Sequence, residues 1–155
     1  MGSGKSSVGA LVAEREHAAF FDLDQMIEAE AGMPVSEVFA RRGEPGFRAL
    51  ESRLLPMVLQ PGAVAALGGG ATMDDTNWAL ITERAISVYL EVAIETAWAR
   101  IGGSAERPLA AGRTREQLQA LLETRRPRYE EATHRVDANG DSETVAAEVI
   151  RLWSD

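Results

Sequence analysis

The seven residues Met1-Gly2-Ser3-Gly4-Lys5-Ser6-Ser7 constrain this chain more than any other stretch. They carry the second half of the phosphate-binding motif GxxxxGK[ST]. In that motif glycines let backbone N–H groups turn onto a phosphate chain, the lysine reaches the outer phosphates and the hydroxyl meets Mg²⁺. Here those roles fall to Gly2, Ser3, Gly4, Lys5, Ser6 and Ser7. The apolar run from Val8 to Ala13 predicts a helix whose positive end points at the same anion. The motif's first glycine, and the strand that feeds into it, are expected upstream of residue 1.

Such a loop needs a layered α/β scaffold, and the length suffices for one domain, with 155 residues, 45% of them apolar and 26% charged. The net charge of −8 argues against a nucleic-acid footprint, since phosphate-tracking surfaces are basic. With no cysteine, neither a disulfide framework nor a thiolate metal site can form, which suits a reducing compartment. No apolar run approaches membrane-spanning length. The expectation is a cytoplasmic monomer acting on a small molecule.

The rest of the chain alternates between strand and helix patterns. A helix is predicted over 6–16, then a strand over 18–23 that ends in Asp22-Leu23-Asp24. Alternation along that strand would send both carboxylates the same way, toward the sheet edge where ligands of open α/β sheets bind. Asp is equally at home at a strand end that caps a helix. Three helices are predicted over 25–57, interrupted at Gly32-Met33-Pro34 and Gly43-Glu44-Pro45-Gly46. In the third, Arg48, Glu51, Leu55 and Val58 share one face, which pairs the arginine with a carboxylate. The pair reads either as a structural ion bridge or as a held functional arginine.

Gly62 to Leu67 predicts a buried strand running into Gly68-Gly69-Gly70, where either a tight turn or the close approach of a ligand calls for the glycines. Helix 74–84, strand 85–91 and helix 94–101 continue the rhythm. The polar segment 102–112, bearing Arg107, suits a mobile lid. Thr114 to Gln117 forms a capping box, opening a helix with a Leu118, Leu121, Leu122 stripe that Arg125 continues toward a cleft. A strand over 133–136 and a helix over 143–153 close the chain, the helix burying Val145, Val149 and Leu152. The two histidines, His17 and His134, have no partner pattern. Alternation of this kind predicts a parallel sheet covered by helices on both faces.

Taken together, MGSGKSS, the DLD at Asp22 to Asp24, AGM with the SEVF that follows, the GE-x-x-FR-x-x-E stretch from Gly43 to Glu51, the GGG at Gly68, the RPL at Arg107 and RRPRYEE around Arg125 resemble the shikimate kinase family. The resemblance spans nearly the whole chain. It implies a three-layer P-loop kinase fold of the nucleoside-monophosphate-kinase type. In that fold the parallel sheet would have the order 2-3-1-4-5, with its first, central strand expected outside residues 1–155. It implies a single domain, with substrate-binding helices at about 25–58 and a lid at about 102–113. The activity implied is transfer of the γ-phosphoryl of MgATP to the 3-hydroxyl of shikimate. Lys5 and Ser6 would hold the phosphates and Mg²⁺, and Asp22 would support the metal. Asp24 would bind ring hydroxyls and act as base. Arg48 and Arg125 would pair with the substrate carboxylate, and Gly69 and Gly70 would contact the ring. Glu51 would hold Arg48, Arg107 would serve as lid arginine and Arg100 would pack on adenine. Two positions depart from the family pattern: Ala110 where the lid motif usually has leucine, and the loop from Asn139 to Glu143, which lacks a proline found in some members. A related kinase acting on gluconate, or an inactive ligand-binding module, is the alternative. A chain lacking its central strand is expected not to be a competent enzyme.

Overall fold

Glycine-opened α1 (Lys5–Arg15) is the element on which the rest assembles in the computed structural model, which describes residues 2–101 and 114–153. The segment expected to form a lid, with Arg107 and Ala110, lies outside the described residues. After α1 come β1 (Phe20–Asp22), α2 (Leu23–Ala31), α3 (Val35–Val58), β2 (Val64–Ala66), α4 (Asp75–Arg84), β3 (Val88–Glu91), α5 (Ile94–Ile101), α6 (Arg115–Tyr129), β4 (His134–Asp137) and α7 (Ser142–Trp153). A single 3-10 turn, Ala71–Met73, follows the glycine run.

All described pairing is parallel. β1 lies beside β2 with Phe20 opposite Val64 and Asp22 opposite Ala66, and β3 lies beside β4 with Val88 opposite His134 and Glu91 opposite Asp137. Among the described residues these are two separate two-stranded sheets. Their faces are covered on both sides, because side chains alternate along each strand. Val64, Val88 and Leu90 pack on a cluster built from Val8 and Val12 of α1 and Val145 and Ala146 of α7. Phe21 and Ala65 pack instead on the larger cluster of α2, α3 and α4, centred on Leu23, Ile27, Leu55 and Val58. Helix α1 therefore joins the two sheets, and both β2 and β3 line a single cavity of about 1360 Å³.

Local chemistry explains most element ends. The helix of residues 35–58 contains a non-helical Gly43 at φ 66°, ψ 179°, so it is two helical segments and the expected three helices over 25–57 are present. The capping box at Thr114 is complete, with Gln117 N donating to Thr114 Oγ1 at 3.2 Å and Thr114 N donating to Gln117 Oε1 at 2.9 Å. Helix α6 runs through Pro127 to Tyr129. The strands are shorter than the sequence patterns predict. The strand expected over 18–23 spans Phe20–Asp22, and this overturns the alternation argument for the two aspartates. Asp22 ends the strand and caps α2, while Asp24 sits in the first helical turn. The carboxylate of Asp22 satisfies helix N–H groups that would otherwise be unpaired, so the chain turns helical one residue later.

Candidate active site

The glycine loop meets α5 at close quarters. Gly2 has φ 69°, and a Cβ there would stand 2.6 Å from the carbonyl oxygen of Ala97, so only glycine fits this conformation and this contact. Gly4, also with positive φ, is the N-cap of α1. Arg100 of α5 ties the loop down: its Nη1 donates to the carbonyls of Gly2 at 3.1 Å and Ala138 at 2.9 Å, and Nη2 donates to Gly140 O at 2.8 Å. Gly2, Gly4, Ser7 and Arg100 line a second, smaller cavity of about 460 Å³.

At the start of α1, Ser6 Oγ donates to Asp22 Oδ2 at 2.5 Å. The other oxygen of Asp22 accepts from the backbone N–H of Asp24 at 3.0 Å. Asp22 is 6% exposed, so a buried carboxylate is held here by one hydroxyl and a helix N-terminus. The two motifs that lie apart in the sequence, GKS and DLD, are thus bonded to each other.

The large cavity gathers Lys5, Asp24, Arg48, Glu51 and Arg125 around the glycine run. The glycines are where the arginines meet. A Cβ on Gly70 would overlap the Arg48 guanidinium, and one on Gly69 would overlap the Tyr129 hydroxyl and stand 3.4 Å from Arg125 Nη1. On the same turn, a Cβ on Gly68 would stand 3.2 Å from Glu51 Oε1 and 3.4 Å from Asp24 Oδ1. Two guanidiniums and two carboxylates therefore converge on three residues of backbone. Of the sequence-derived candidates, Arg48, Arg125, Asp24, Gly69 and Gly70 come together here, and Lys5 lines the same cavity. Arg107 lies outside the described residues. Tyr129 is the site residue to which the sequence reading assigns no role, although it lies within RRPRYEE and its i, i+4 spacing from Arg125 marks it.

Glu51 is fully buried, and its Oε2 accepts from Arg48 Nη1 at 2.6 Å. Its Oε1 has no hydrogen-bond partner among the described residues. Burial pushes its carboxyl above the ordinary 4.5, and Arg48 pulls it partly back. A carboxyl raised in the folded state contributes stability that is fully present below about pH 4.5 and is lost as pH rises through the raised folded value. Urea midpoints of wild type and Glu51→Gln, followed upward from pH 4, should therefore diverge, with wild type falling relative to the variant. Parallel curves would show that Glu51 does not titrate in this way.

A glycine-rich loop opening a helix, a hydroxyl and a carboxylate beside it, and a cationic pocket across the cavity define a P-loop phosphotransferase. The model of the shikimate kinase family matches residues 1–153. The chain belongs to that family, and it is a kinase. It is 40% identical to the shikimate kinase of Moorella thermoacetica over 99% of this chain and 91% of that protein. To the Salinibacter ruber shikimate kinase it is 39% identical over 98% of this chain and 80% of that protein. Its structure superimposes with a TM-score of 0.94 on the shikimate kinase from Acinetobacter baumannii in complex with shikimate, at 32% identity, covering 99% of this chain and 88% of that one. The fold expectation, a P-loop kinase with parallel strands, stands. No helix among the described residues is long and apolar enough to cross a membrane.

Proposed function

We propose that this protein transfers the γ-phosphoryl of ATP to the 3-hydroxyl of shikimate, as a single domain whose substrate side is formed by the helices between residues 25 and 58. The observation that carries the reading is the meeting of Arg48 and Arg125 on the Gly69–Gly70 backbone, beside Asp24 and in the cavity that Lys5 also lines. Two planar guanidiniums suit one carboxylate, and a neighbouring carboxylate suits ring hydroxyls. A pocket built for gluconate, an open-chain acid, has less use for a rigid glycine wall.

In the proposed reaction, the 3-hydroxyl oxygen attacks the γ-phosphorus as the bond to the β,γ-bridging oxygen breaks, ADP leaves, and the hydroxyl proton passes to Asp24. Such transfers depend mainly on positioning and on positive charge around the equatorial oxygens. Lys5 and the N–H groups of Gly2 to Ser7 hold the phosphates, and Arg107 is the lid cation. Arg100 forms one wall of the adenine side. Ser6 and Asp22 supply only oxygen donors, which fits a hard cation that keeps most of its waters, so these two would hold Mg²⁺. When bound, that ion neutralises charge on the β- and γ-phosphoryl oxygens.

A coupled ADP-release assay with shikimate and with gluconate tests the substrate; turnover on gluconate alone would overturn the proposal. Arg48→Lys and Arg125→Lys should each raise the KM for shikimate about tenfold or more and leave that for ATP within about twofold, because the bidentate fork is lost. Equal weakening of both ligands would assign the arginines to structure instead.

A further inference from the structure

Tyr129 ends α6 one helical turn beyond Arg125, and its ring stacks at 5.3 Å on Tyr89 of β3, tilted by 35°. Its hydroxyl donates to the carbonyl of Gly69 at 3.1 Å. The Arg125 guanidinium stands beside the same phenol, since a Cβ on Gly69 would overlap the Tyr129 hydroxyl and lie 3.4 Å from Arg125 Nη1. The phenol therefore stands beside Arg125 while its proton is held by the Gly69 carbonyl. Because a peptide unit is planar and trans, holding the Gly69 carbonyl also fixes the direction of the Gly70 N–H on the opposite edge of the same plane. The carbonyl has a second partner, Thr72 Oγ1 at 3.2 Å, which comes from within the same turn. Among the described residues, the phenol's hydrogen bond is the one that ties this turn to α6. Burial raises the phenol's pKa above its ordinary 10.0, with Arg125 opposing, so the donating proton stays on at neutral pH.

We propose that Tyr129 is a positioning residue of the phosphoryl-acceptor site, setting the distance between the Arg125 guanidinium and the Gly69–Gly70 backbone so that both meet one carboxylated ring. The inference rests on the reading of Arg125 as a carboxylate ligand. Tyr129 itself need not touch the substrate. Its ring supports it on Tyr89, and its hydroxyl does the aligning.

Tyr129→Phe keeps the ring and removes only the hydroxyl. It should raise the KM for shikimate about three- to tenfold, as expected for a lost hydrogen bond, while the KM for ATP stays within about twofold. Turnover at saturating shikimate should change far less than the KM does. A second measurement uses the crowding at Gly69. Gly69→Ala places a methyl against the phenol hydroxyl, and adding Tyr129→Phe should relieve part of that clash. The double variant should then lose less than the product of the two single losses. An unchanged shikimate KM in Tyr129→Phe, fully multiplicative losses in the cycle, or equal changes for both substrates would each overturn the inference. Arg125→Lys run in parallel separates the two levels. If it too leaves the shikimate KM alone, the reading of the site falls; if it raises that KM and Tyr129→Phe does not, only the role of Tyr129 falls.

Discussion

Asp24→Asn is expected to lower turnover with shikimate by about 100-fold or more while ATP binding stays within about twofold. Asp24 lies in the first turn of α2, and a Cβ on Gly68 would sit 3.4 Å from its Oδ1, so its carboxylate reaches the cavity across the glycine turn from Arg48 and Arg125. Asparagine preserves size and hydrogen bonding but cannot accept the hydroxyl proton, and positioned acid–base groups contribute about 10² to 10⁴ in rate. On the proposed reading the nucleotide side is built from other parts, the Gly2 to Ser7 loop and Asp22, and Asp22 is held separately by Ser6 and by the N-terminus of α2. Fluorescent-nucleotide titration and steady-state kinetics on the same preparation would check both halves of the expectation. Turnover within a few-fold of wild type would remove Asp24 from the proton-accepting role and leave it as a ligand of the ring.

The second large effect concerns the cavity between the two sheets. Among the described residues β2 pairs on one side only, with β1, and β3 on one side only, with β4, yet both line the same space together with Val8 and Val12. A strand set between them would gain ladder partners on both edges and apolar contacts on both faces, the environment of a central parallel strand. Residues 1–155 carrying an apolar, β-branched segment of about five residues ahead of Gly2, joined through a glycine, are therefore expected to be more stable than residues 1–155 alone. Each fully buried aliphatic side chain contributes roughly 1.5–3 kcal/mol, so three of them give about 5 kcal/mol or more. For a domain of this size each kcal/mol moves the melting temperature by about 2–4 °C, so a rise of about 10 °C or more is expected. A segment of equal length with alternating Asp and Lys serves as the control and should give no gain. Equal melting temperatures for the apolar and charged extensions would show that the cavity does not take a strand.

The sequence alone determined a good deal here, and for local reasons. Phosphate loops, capping boxes and helix-breaking glycines are decided by residues within a turn of one another, so the GKS loop, the Thr114 cap and the break at Gly43 could be read without a fold. Helix α5 begins and ends where its pattern predicts, and the β-α alternation announces parallel strands. The face shared by Arg48, Glu51, Leu55 and Val58 also follows from helical periodicity, and Glu51, Leu55 and Val58 are fully buried. What the pattern misjudged was the end of β1. A single residue separates a strand from a helix there, and the choice depends on whether Asp22 points along the ladder or back to the N–H groups of α2.

Only the tertiary structure decided which charges meet. Arg48 and Arg125 stand on helices far apart in the chain, and what brings them onto adjacent glycines is the packing of α3 and α6 around the turn after β2, a relation no local spacing encodes. The same packing leaves Glu51 Oε1 buried beside Asp24 without a hydrogen-bond partner among the described residues, and places the Tyr129 hydroxyl beside Arg125 and on the Gly69 carbonyl. Sequence periodicity tells which side of a helix faces inward; the distance between two inward-facing groups on different helices is set by how the intervening side chains fill space.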